Sequence, residues 1–123
     1  MAHVLALTRD LLFGSRVQGA LSAAGHEVEL IDSEARLRER MSSREQPAAE
    51  VLVVDLTDAE LDGSAVMVAL ASAGGLGSLR TLAYYSHVDA AARERAEQAR
   101  FDLVVPRSRM AREAPDLIAR VLA

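Results

Sequence analysis

VLVVDLTDAELDG, running from Val51 to Gly63, is the stretch on which the fold turns. Val51 to Val54 is an unbroken apolar run rich in β-branched side chains. A strand with one face in water alternates apolar and polar residues. A strand with no polar position is covered on both faces, as in the middle of a parallel sheet. The run ends at Asp55, and the polar segment LTDAELDGS leads into an apolar helix expected from about Ala65 to Ala73. Strand, loop and helix in that order form the repeating unit of an α/β fold.

Outward from this unit the same alternation continues to both ends. HVLAL, His3 to Leu7, is too short for a helix and stops at Thr8-Arg9-Asp10. Asp10 suits the cap of a following helix, in which Phe13, Val17 and Leu21 recur at helical spacing and Gly25 marks the exit. HEVELI, His26 to Ile31, alternates as a strand with Val28 and Leu30 on one side. Asp32 or Ser33 then caps a polar helix to about Arg44, with Leu37 and Met41 inward and Pro47 beyond its end. On the other side, Gly74-Gly75-Leu76-Gly77 breaks the third helix and Leu79 to Tyr85 supplies a fourth strand. Asp89 caps a helix to Arg100, and Phe101 to Val105 is a fifth strand ending at Pro106. The last helix is expected to begin between Met110 and Pro115, with Leu117, Ile118, Val121 and Leu122 as its inner face.

Strands alternating with helices, joined by right-handed crossovers, give a doubly wound parallel five-stranded sheet between two helix layers, a (βα)5 three-layer sandwich. The 123 residues make one domain, 1–123. Ligand sites in such sheets lie at the carboxyl ends of the strands. Thr8, Arg9, Asp10, Asp55, Ser86, His87 and Arg107 all fall at those ends and form the candidate pocket.

These residues resemble the receiver domain of two-component response regulators, the CheY-like family, over essentially the whole chain. VLVVDLTDAELDG is similar to the family's third strand, its phosphoacceptor Asp and the Asp-Gly that follows. The resemblance places Asp55 as the phosphoacceptor equivalent. In TLAYYSH it places Ser86 at the family's Ser or Thr position, and in FDLVVPRS it places Arg107 where Lys is expected. AAGHEVELI resembles the usual passage from first helix to second strand. The strand order that the resemblance implies is 2-1-3-4-5, the flavodoxin-like order.

One departure matters more than the matches. Two adjacent acids follow the family's first strand and help to hold Mg²⁺, whereas Thr8 and Arg9 stand here, with Asp10 one residue further on. Mg²⁺ requires hard oxygen ligands in near-octahedral geometry, and aspartyl phosphorylation uses it to neutralise developing charge. The resemblance therefore implies a pseudo-receiver: a stand-alone, non-enzymatic signalling module that acts by protein–protein contact without metal or cofactor. Arg9, and with it Arg107, is expected to pair with Asp55. The competing readings are a working receiver phosphorylated on Asp55 and a flavodoxin-like flavin or nucleotide carrier. A carrier needs more Thr, Ser and Gly than TRDLLFGS offers.

Composition narrows the partners. A net charge of −4 and 3% aromatic residues argue against nucleic acid, which favours basic surfaces and stacking rings. No stretch approaches the roughly 18 apolar residues of a membrane span. There is no cysteine and no signal-peptide pattern, so a cytoplasmic location is expected. The expected partner is a protein: a sensor kinase, an effector or another regulator. A homodimer through the last two helices and fifth strand is the second expectation, with Tyr84 as a contact. The stripe Arg93, Glu97 and Arg100 fits either that interface or a solvated helix face. His3, His26 and His87 lack metal-ligand spacing, and the Gly74 to Gly77 run leaves a helix where a phosphate loop would enter one.

Overall fold

A computed structural model of the chain describes residues 1–44 and 46–123. Its elements are β1 (His3–Leu7), α1 (Leu11–Ala23), β2 (Glu27–Ile31), α2 (Glu34–Ser42), β3 (Val51–Asp55), α3 (Gly63–Ser72), β4 (Arg80–Tyr85), α4 (Ala90–Gln98), β5 (Leu103–Pro106) and α5 (Arg107–Leu122). The strands are parallel and ordered β2-β1-β3-β4-β5. This is the doubly wound architecture expected from the alternation, and β3 lies at its centre with every residue buried.

Strand periodicity divides the core into two layers. Val4, Ala6, Val51, Val53, Leu82 and Tyr84 pack on α1 and α5 through Phe13, Val17, Met110 and Ile118. Leu5, Leu7, Leu52, Val54 and Ala83 face the opposite layer with Leu37, Val66, Leu70 and Ala96. Side chains two apart share a face, so Thr8 and Asp55 continue the α1/α5 face of their strands. Register sets Asp55 opposite Tyr84.

Several boundaries differ from the sequence expectation, each for a local reason. α3 begins at Gly63, two residues early, because Asp62 turns into the left-handed region (φ 49°) and its carboxylate accepts from the Ala65 N–H. α4 closes at Gln98, and Arg100 at φ 63° turns the chain, so β5 begins at Leu103. α2 stops at Ser42. α5 joins two helical pieces: 107–112, which the sequence did not announce, and 114–122, which starts between Met110 and Pro115 as expected. It is bent at Glu113 (φ −128°, ψ 23°), just ahead of Pro115, which has no N–H to give the preceding turn. Its inner face is Met110, Ala114, Leu117, Ile118 and Val121, which rotates Leu122 outward to 37% exposure.

Candidate functional site

Asp55 ends the central strand with its side chain 2% exposed, and three donors meet its carboxylate. The Thr8 hydroxyl donates to Oδ2 at 2.7 Å. The Thr57 N–H and hydroxyl both donate to Oδ1, at 2.7 and 2.6 Å. The Thr57 pair is an Asx turn, in which an aspartate binds the backbone two residues on. Thr8 also accepts from the Asp10 N–H at 3.1 Å, which ties the start of the β1–α1 loop to the same carboxylate. Tyr84 lies across from Asp55 on β4. Burial, and then the nearby negative charge of Asp55, hold its phenol well above the usual tyrosine range.

Two glycines let the helices reach this point. A Cβ at Gly14 would stand 3.0 Å from the Thr8 methyl, so α1 lies close over Thr8. At Gly63 a Cβ would fall 2.5 Å from Val54 Cγ1 and 3.0 Å from the Asp55 carbonyl oxygen. Separations that short are not sustained in packed interiors.

The expected ion pairs to Asp55 are not formed. Arg9 reaches along the β3–α3 loop instead, donating from Nε and Nη2 to Asp58, the latter at 2.8 Å, and from Nη2 to Glu60 at 3.2 Å. Asp58 is itself held by the Glu60 and Leu61 N–H groups. Hydrogen bonds from Arg9 keep its carboxyl below the usual range and raise the guanidinium further. Arg107 donates to Asp10 at 3.2 Å and lies 4.3 Å above the Phe13 ring. A carboxylate already paired in the loop, open to partial solvation, costs a guanidinium less than burial beside Asp55 would. Asp10 does cap α1 as expected, accepting from the Phe13 N–H at 3.0 Å. That carboxylate occupies the helix end where a flavin or nucleotide phosphate would sit, and it would repel one.

Ser86 and His87 follow β4; Ser86 is half-buried and His87 exposed. Both line a groove with Phe13, Arg16 and Arg107, and neither bonds to Asp55. Tyr84 is buried at 3% against Phe13 and so cannot serve as a surface contact. Arg93 and Glu97 pair along α4 at 3.1 Å, as their spacing suggests. Thr57 and Asp58 went unrecognised in the sequence, although the Asp-x-Thr spacing is an Asx-turn signature.

Neither the known family models nor the curated proteins provide a match to the chain. Solved structures do. A Chloroflexus aurantiacus protein assigned as a response regulator superposes with a TM-score of 0.85 at 16% identity, covering 98% of this chain and 97% of that one. The chemotaxis response regulator CheY4 of Vibrio cholerae gives 0.80 at 17% identity, covering 98% of each. The fold is that of a receiver. The phosphorylated cyanobacterial phytochrome response regulator RcpA gives 0.81 at 12% identity over 99% of this chain and 94% of its own. The receiver fold and its strand order are thus shared at full length, at identities that speak to fold alone.

Receiver chemistry implies Mg²⁺, and the side chains around Asp55 do not fit it. Its immediate neighbours are two hydroxyls that donate to its carboxylate. The other acids near the strand ends, Asp10, Asp58 and Glu60, are each paired with an arginine. Among the described residues no three acidic or histidine side chains converge on a metal-sized space. Among the described residues no helix is long and apolar enough to cross a membrane.

Proposed function

We propose that the chain is a metal-independent pseudo-receiver, a signalling module that works by contact with protein partners and without enzymatic turnover. The observation that carries this reading is the state of Asp55. Both carboxylate oxygens accept short hydrogen bonds from Thr8 and Thr57, and a guanidinium follows Thr8 where a second acid would be needed. An aspartate attacking phosphorus must present a free oxygen, with a cation to neutralise charge on the transferred group. Here both oxygens accept hydrogen bonds, and Arg9 and Arg107, at the neighbouring strand ends, are bound to other carboxylates. The β3–α3 loop is pinned by Arg9, so the presented surface is set by the fold and not by a modification.

Incubation with a small-molecule phosphodonor and Mg²⁺, followed by intact-mass measurement, tests this. The expected product is unmodified protein. A stoichiometric gain of one phosphoryl group, lost in Asp55→Asn, would replace this reading with that of a working receiver.

A further inference from the structure

The amino ends of β1 and β2 lie at the edge of the sheet opposite Asp55, and two half-buried histidines stand there. They hold the chain in opposite ways. The Ala2 N–H donates to His26 Nδ1 at 3.0 Å. An imidazole nitrogen that accepts carries no proton, whereas an imidazolium bears N–H on both nitrogens. This contact therefore exists only while His26 is neutral. His3 Nδ1 lies 3.1 Å from Glu27 Oε2. An ionised carboxylate only accepts, so that nitrogen carries its proton, and charging the ring strengthens the pair.

Burial decides which response wins. Ala2 is 1% exposed and belongs to the α1/α5 core layer. Its carbonyl accepts from the Glu27 N–H at 2.9 Å, the first rung between β1 and β2. Protonation of His26 would set a ring N–H against the buried Ala2 N–H, donor against donor. The Glu27 side chain is 66% exposed, so the gain at His3 is screened by solvent. The charged groups on the surrounding segments are few. Met1 and His3 belong to the β1 side, Glu27 is turned to His3, and Glu50, ahead of β3, accepts from the His3 N–H at 2.9 Å. The last turn of α1, whose Leu21 carbonyl accepts from the His26 N–H at 3.0 Å, carries no charge. No carboxylate among the described residues lies within ion-pair range of His26 to compensate its charging.

We infer that His26 is a pH-operated latch on the start of β1, closed while its ring is neutral and opened by protonation. The contact is present above the ordinary histidine range and is lost as pH falls through it. This goes beyond the metal-independent reading. Its test uses no divalent ion and no phosphodonor and reads the other edge of the sheet, so either can fail without the other.

Isotope-labelled protein is titrated from about pH 8 to about pH 5, the span in which histidine changes charge. The His26 ring nitrogens and the Ala2 amide should move with one midpoint. Protection of the Ala2 and Glu27 amides from exchange, corrected for intrinsic rates, should fall about tenfold across it, the loss of one hydrogen bond, while Val53 at the sheet centre keeps its protection. His26→Asn offers an oxygen where Nδ1 stood and does not titrate. Protection of Ala2 in this variant should be independent of pH; a constant high value means the oxygen replaces Nδ1, a constant low value that it does not, and both assign the dependence to His26. His3→Asn should leave the fall in place. Ala2 protection that does not change with pH in the native chain, or that falls equally in His26→Asn, would overturn the latch.

Discussion

Asp55 sits almost out of water because Thr8 and Thr57 between them supply three donors. A buried acceptor stripped of its donor loses about 1–3 kcal/mol. Thr8→Val keeps the shape and removes the hydroxyl, so denaturant unfolding should show a loss of that size with an unchanged slope. An unchanged midpoint would mean the Thr8 bond contributes nothing. Asp55 itself was legible as the end of a buried strand, and Thr8 as a pocket residue. The bond between them was not, because sequence spacing says nothing of which oxygen a hydroxyl reaches. Arg9 was misread for a related reason. Its long side chain passes the strand end and finds Asp58, which local N–H groups had already placed.

At the scale of the element, the β3–α3 loop is held at both ends by arginines from other segments. Arg9 holds its start, and Arg95 of α4 holds Asp62 at 2.6 Å, at its end. Asp58 has its carboxyl lowered in the fold, so its contribution is present above the ordinary carboxylate range, near pH 4, and is lost as pH falls through the lower folded value. Acid unfolding followed by circular dichroism should therefore be shallower in Asp58→Asn than in the native chain. An identical acid limb would show that the Arg9 contact is not formed in solution. Gly63 fixes the other end of the loop. Gly63→Ala pushes a methyl into Val54 and the Asp55 carbonyl, and should cost about 1–3 kcal/mol by thermal melt, as overpacking does. A neutral result would mean α3 can slide away from the sheet. The sequence pattern announced the Asp-Gly pair but not the left-handed turn at Asp62 that starts α3 early. The short helical piece 107–112 and the bend at Glu113 were likewise hidden, whereas Pro115 falls in the first turn of the second piece, where its missing N–H is tolerated, as the sequence suggested.

For the molecule as a whole, alternation of short apolar runs with capped helices was enough to give the element order and a parallel sheet. The strand order came only with the receiver resemblance, and the sheet β2-β1-β3-β4-β5 agrees with it. That arrangement gathers Thr8, Asp55, Ser86 and Arg107 at one edge, as the strand ends foretold. Thr8 links Asp55 to Asp10 and through it to Arg107, and Thr57 lines the groove with Ser86 and Arg107, but neither Ser86 nor Arg107 bonds to Asp55 itself. The central claim is that the carboxylate at the middle of this edge is held by hydroxyls and does not take a divalent ion. Titration of isotope-labelled protein with MgCl2 against a salt control of equal ionic strength measures this directly. The amides of Thr8, Asp55 and Thr57 should move no more than in the control; saturable shifts at those amides would contradict the account.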